Sequence, residues 1–339
     1  MIMVFITSME VRVATPVVLV AGPYADARAA VVRRLLADHP GAALMSSGPP
    51  PGAAFLVMEL PDTAEPRPFA EALAAEAGLR LTGVLTALDA RHMPVDILRA
   101  DRLPGRDERY VAEVLARQLE YATHLVLDGG DAEDGELSRA VLAHLAPATP
   151  VHHLRDGLPR LTGRTVCPRE LADRVEPATA LLPCEARTGA VTTVVWHRLR
   201  PLHPGRLFEV TEELAACSVR GRGRFWLAGR HDRLLAWDSV AGRLAVRDAG
   251  PWLAAMPPSA WDACRPARRA VAALDWNPLT GDRVQHLVFT GPDLDRRRIW
   301  ELLDGCLLGR AEMLAGSDVW SGYEDPFSLV LDADAMLPS

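Results

Sequence analysis

Short apolar runs and stretches of helical period alternate through the first half of the chain. Pro16-Val-Val-Leu-Val-Ala-Gly22 is apolar throughout and ends in glycine, as a buried parallel strand would. Residues 25–38 then place Ala29, Ala30, Val32, Leu35 and Leu36 on one side and arginines on the other, which predicts a helix. Phe55–Glu59, Leu81–Leu88 and His124–Asp128 predict further strands, with a last one near Pro150. Helical stretches at 68–78, 109–121 and 137–145 separate them. Strand–helix alternation of this kind implies a parallel sheet covered on both faces.

From about 156 to 188 the chain is rich in Pro, Arg and Gly, and reads as a linker. Beyond it the pattern changes. Val191–Arg198 alternates like a strand, and 204–216 reads as a helix. Strands are expected from Phe225, at 234–237, at 243–247 and at 284–290, with an amphipathic helix over 294–308. Locally paired strands flanked by two helices suggest a smaller α+β unit. The expectation is an α/β domain at 14–155, a linker at 156–188 and an α+β domain at 189–328.

Composition is ordinary for a globular protein, with 49% apolar and 24% charged residues. The 37 basic residues are all arginine, since lysine is absent. That removes Schiff-base and general-base lysines, and a lysine under a nucleotide phosphate. A net charge of -7 argues against a general nucleic-acid binder. Five scattered cysteines without a Cys-x-x-Cys pair suggest reduced thiols and a cytoplasmic protein. The apolar start Met1–Thr7 is too short and lacks the basic flank of a signal peptide, and no run reaches membrane-spanning length.

A strand ending in glycine and opening into a helix is where a phosphate loop would sit, with the pattern G-x-x-x-x-G-K-[ST]. Counting from Gly22 puts Ala27 at the second glycine, Arg28 at the lysine and Ala29 at the hydroxyl. Three later segments extend the frame: Glu59-Leu-Pro-Asp62-Thr-Ala-Glu65-Pro66, Leu81–Asp89, and Gln118–Asp131. In the second half stand Arg200-Pro201-Leu202-His203-Pro204, Arg222-Gly-Arg-Phe225-Trp226, Gly281-Asp282-Arg283-Val-Gln285 and Asp304-Gly-Cys306.

In order and spacing these segments resemble the CobW-like family of phosphate-loop GTPases and metallochaperones, the second half more specifically than the first. The resemblance implies a phosphate-loop NTPase-like parallel sheet with degenerate nucleotide motifs, followed by a smaller CobW C-terminal-type domain. Gly22, Arg28, Glu59 and Asp131 are then the residues in nucleotide-contacting positions. Where the family reads guanine with Asn-Lys-x-Asp, this chain has Asp128-Gly129-Gly130-Asp131. Asp62 replaces the glycine whose backbone would face the γ-phosphate, and the family's Cys-x-Cys-Cys metal motif is missing between Gly22 and Glu59. Asp26 adds a negative charge beside the phosphates.

The expectation is a pseudo-GTPase without catalytic residues, in which GTP and Mg are bound weakly at most. It would work through a protein partner. The nearest branch of the family implies recruitment of a ribosome hibernation factor, or contact with the ribosome, under zinc limitation. The alternative is a GTP-dependent zinc metallochaperone that keeps nucleotide through Arg28. Glu59 is either a residual metal or water ligand, or a partner for a helix end or an arginine.

Elsewhere, His152-His153 and the pair His197/His203 are candidate zinc donors, although His203 before Pro204 suits a structural hydrogen bond better. Arg220, Arg222 and Arg224 form one basic knot and Arg265, Arg268 and Arg269 another: a solvated face, or a contact for a phosphate backbone such as ribosomal RNA. The tryptophans of the second half read first as core.

Overall fold

The computed structural model describes residues 14–334, apart from residue 47 and residues 104–108. The start Met1–Thr7 lies outside the described residues.

The first unit runs β1 (Thr15–Ala21), α1 (Ala25–Asp38), β2 (Ala42–Leu44), β3 (Phe55–Glu59), α2 (Pro66–Ala75), β4 (Leu79–Asp89), α3 (Met93–Asp96), α4 (Val111–Tyr121), β5 (His124–Asp128), α5 (Ala132–Leu145) and β6 (Val151–His153). The strands form one sheet in the order β2-β3-β1-β4-β5-β6, and every pairing is parallel. Both faces are covered, which is why the strands read as continuous apolar runs. Val18 and Val20 of β1 meet Val31 and Leu35 of α1 on one face. Val17 and Leu19 meet Leu73 of α2 on the other. β2 has no apolar period to announce it, being three residues paired to β3 alone.

The segment 156–188 is not bare connection. It carries α6 (Pro168–Val175), whose Leu171 and Ala172 join the core of the first sheet, and it ends in β7 (Ala186–Thr188). The second unit continues with β8 (Val191–Arg198), α7 (Pro204–Ala216), β9 (Arg220–Phe225), β10 (Arg233–Val240), β11 (Arg243–Pro251), α8 (Pro266–Asp275), β12 (Gln285–Pro292) and α9 (Arg296–Cys306). Its sheet, in the order β11-β10-β9-β12-β8-β7, is antiparallel throughout. One face packs Trp196, Phe225, Trp237 and Phe289 against Leu207 and Leu214 of α7 and Ile299 and Leu303 of α9.

β9 lies earlier than its apolar residues predict. The Arg-Gly alternation of Arg220–Arg224 reads as a basic knot, yet every residue in it is buried. Ion pairs make this tolerable. Arg220 donates through Nε and Nη2 to the two oxygens of Glu120 on α4, at 2.6 and 3.1 Å, and through Nη1 to Asp238 of β10 at 2.5 Å. Arg222 lies 3.3 Å from Glu120, and Arg117 of α4 reaches Asp238 at 2.6 Å. Arg220 and Arg222 of the basic knot are therefore neither a solvated face nor a nucleic-acid contact, while Arg224 pairs with Asp275 of α8. Arg220 and Arg222 form the charged centre of the contact between the two sheets, flanked by Val219 and Val240 packed with Leu115 and Leu119. On the far side of the contact His144 of α5 bonds the hydroxyls of Thr193 and Thr188 at 2.8 and 3.0 Å.

Burial alone would raise the Glu120 carboxyl, but the guanidiniums of Arg220 and Arg222 outweigh it and hold it below the usual carboxylate range. Asp238 is held low in the same way by Arg220 and Arg117. A depressed folded value means stability present above the unfolded pKa of about 4 and lost as pH falls below it. Glu120→Gln leaves two buried guanidiniums under-compensated. Urea unfolding at pH 7 is expected to show a loss of about 3–5 kcal/mol, and a shallower decline in acid than the wild type. Unchanged stability would contradict this role.

Candidate functional site

Open α/β sheets bind ligands at the carboxyl ends of their strands. Here that edge presents Gly22 after β1, Glu59 at the end of β3, Asp62 just beyond it, and Asp131 beyond β5. Gly22 has φ +137°, and a Cβ on it would lie 2.2 Å from the Ala87 carbonyl oxygen of β4. Glycine is thus required by the close approach of β1 to β4, with or without a ligand.

Only Gly22, Pro23 and Tyr24 connect β1 to α1. A phosphate loop encircles its ligand with successive N–H groups. This turn is short, Pro23 has no N–H, and the Tyr24 hydroxyl is turned away to Asp96 Oδ2 at 3.0 Å. Arg28, one turn into α1, is 5% exposed. Its Nη1 donates to the Gly22 carbonyl at 2.6 Å, its Nε to Glu59 Oε1 at 3.3 Å and its Nη2 to Asp62 Oδ1 at 2.5 Å. All three guanidinium nitrogens are therefore answered by the chain itself. Gln118, fully buried on α4, donates to the carbonyls of Asp62 and Ala64 at 3.0 and 2.9 Å and fixes the loop that presents Asp62.

The fold thus brings Gly22, Arg28 and Glu59 together and leaves Asp131 out. Asp131 is the N-cap of α5: its Oδ1 accepts from the amides of Glu133 and Asp134 at 2.9 and 3.0 Å. The Asp134 carboxylate accepts from the Asp131 amide in return. Asp62 belongs to the cluster as a partner of Arg28, a role its reading as a replaced glycine does not give it. The available signal was charge: an arginine in the lysine position and an aspartate in the glycine position compensate each other.

His203 N-caps α7, its Nδ1 accepting from the Arg206 amide at 3.4 Å. His197 stands opposite His286 instead, not beside His203. His152 pairs with His124 at 3.2 Å, and burial, then the neighbouring ring, lowers His124 to about 4. His153 is buried against Gly135.

Residues 191–307 match the C-terminal domain of the cobalamin synthesis protein CobW. The zinc chaperone Rv0106 of Mycobacterium tuberculosis is 35% identical over 264 residues, 75% of this chain and 63% of that protein. Residues 191–307 are thus a domain of the CobW C-terminal type, and the chain resembles a zinc chaperone along most of its length. The zinc-regulated GTPase metalloprotein activator 1 of Dictyostelium discoideum is 23% identical over 315 residues, 81% of this chain and 64% of that one. The chain thus spans under two thirds of the length of these relatives. The Zn(II)-bound YjiA GTPase of E. coli aligns over 87% of this chain and 99% of its own, at 15% identity and a TM-score of 0.38.

A CobW-like nucleotide site implies GTP and Mg, and the residues at this edge do not fit them. The arginine in the lysine position of the frame is already bonded to a carbonyl and two carboxylates, Ala29 offers no hydroxyl, and Asp26 and Asp89 add negative charge to the same edge. Among the described residues no helix is long and apolar enough to cross a membrane. Arg28→Met removes the counter-charge of Glu59 and Asp62. Because those carboxylates are partly solvated, the expected loss is about 1–3 kcal/mol by thermal or urea unfolding, and Glu59→Gln in the same chain restores part of it. A fully neutral Arg28→Met would contradict the bonding described.

Proposed function

We propose that this chain is a zinc-handling protein of the CobW-like family, metallochaperone in type, that works through a protein partner and without a nucleotide. The zinc half of the reading is supported by the relatives, one described as a zinc chaperone and one as a zinc-regulated activator of metalloproteins. The nucleotide-free half is carried by one observation: each of the three nitrogens of Arg28 already donates within the chain, to Gly22, Glu59 and Asp62. A triphosphate brought to Arg28 would meet the carboxylates of Glu59 and Asp62 that already pair with it. Asp131, the remaining guanine contact, is engaged as a helix cap.

Recruitment of a ribosome hibernation factor is the narrower form of the partner reading. Arg220, Arg222 and Arg224 offer no contact for ribosomal RNA in this reading, because they are buried in ion pairs.

Titration calorimetry tests both halves. The expected result is measurable binding of Zn2+ and no heat from GTP with Mg2+ up to millimolar concentration. Micromolar GTP binding that Arg28→Ala abolishes would overturn the nucleotide-free reading in favour of a GTP-dependent zinc chaperone.

A further inference from the structure

We propose that His197, Asp275 and His286 form a zinc site on the second sheet, remote from the phosphate-loop frame. Its geometry stands alone; the choice of zinc as cargo rests on the zinc-handling reading above. His197 on β8 and His286 on β12 are directly opposed in the antiparallel register, so both side chains leave the same face. Their ring centroids are 5.3 Å apart. Asp275, the last residue of α8, brings a carboxylate to the pair. One donor atom from each of the three residues lies within 4.8 Å of the other two. Zinc bonds of about 2.0–2.2 Å in a tetrahedron place neighbouring donors about 3.3 Å apart, so small side-chain rotations close the set.

The donor chemistry selects among cations. Two imidazoles and one carboxylate suit zinc, whereas magnesium and calcium prefer oxygen throughout. A cleft of about 490 Å³ lined by His197, Arg198, Asp275 and Trp276 opens the group to solvent. Three protein donors leave a fourth position for water or for a ligand from a protein that delivers or receives the ion.

Arg224 on β9 sets how firmly the ion is held. It donates to Asp275 Oδ2 through Nε at 2.8 Å and lies 2.6 Å from the same oxygen through Nη2, so neither contact takes Oδ1. Its Nη2 also lies 3.4 Å from His286 Nδ1. Zinc would share Asp275 with a fixed cation beside it. That repulsion makes the site weaker than a thiolate cluster and suits an ion that is passed on.

The test is a zinc titration of the full chain against a chromophoric chelator, with Co2+ absorption as a report of coordination geometry. The wild type is expected to take up zinc and, with Co2+, to show the intense visible band of a four-coordinate site. His197→Ala, an exposed position, is expected to weaken zinc about tenfold or more and to abolish the band with the unfolding midpoint unchanged. His152→Ala, at the other histidine pair, is expected to change neither. If the wild type binds zinc and His197→Ala binds it equally well, the site is overturned while the zinc-handling reading stands. If the wild type binds no zinc, both fall.

Discussion

A buried guanidinium must have its charge and its N–H groups answered inside the protein, and that requirement shapes this fold. Five arginines are buried among the described residues: Arg28, Arg220, Arg222, Arg224 and Arg268. Each lies in an ion pair with at least one carboxylate. Arginine can be met this way because its planar fork offers donors in fixed directions, where a compact ammonium would have to be solvated or neutralised. A chain without lysine has built its internal polar contacts from forks and carboxylates.

Three places follow from this one constraint. At the carboxyl edge of the parallel sheet, Arg28 closes on Gly22, Glu59 and Asp62. Between the sheets, Arg220 draws Glu120 from one unit and Asp238 from the other, and apolar packing of Val219 and Val240 surrounds the charges. At the open end of the same antiparallel face, Arg224 holds Asp275 next to two histidines. The first and second contacts close the molecule upon itself. The third leaves donors facing solvent, which is where cargo would be exchanged.

Much of this was legible in the sequence, for physical reasons. The parallel sheet showed itself because strands buried on both faces must be apolar along their length. The helix at 204–216 showed itself through Pro204 at its first turn and the His203 cap. The erosion of the phosphate loop was visible at Ala27, Arg28 and Ala29. Its meaning was not, since it depends on Asp62, 34 residues away, meeting Arg28 in space. The strand Arg220–Phe225 was hidden because its burial rests on Glu120, 100 residues earlier. No local period encodes a charge partner at such separation. His197 was legible as a donor but not its companions, which a β-sheet register and a helix end supply.

The central claim is that Arg28, in the lysine position of the phosphate-loop frame, is held by the chain's own Gly22, Glu59 and Asp62. A crystal structure of the protein grown with a non-hydrolysable GTP analogue and Mg2+ tests it most directly. The account predicts Arg28 still bonded to the Gly22 carbonyl, Glu59 and Asp62, with no nucleotide at the edge of the parallel sheet. A triphosphate seated over Gly22, with Arg28 swung onto it, would contradict it.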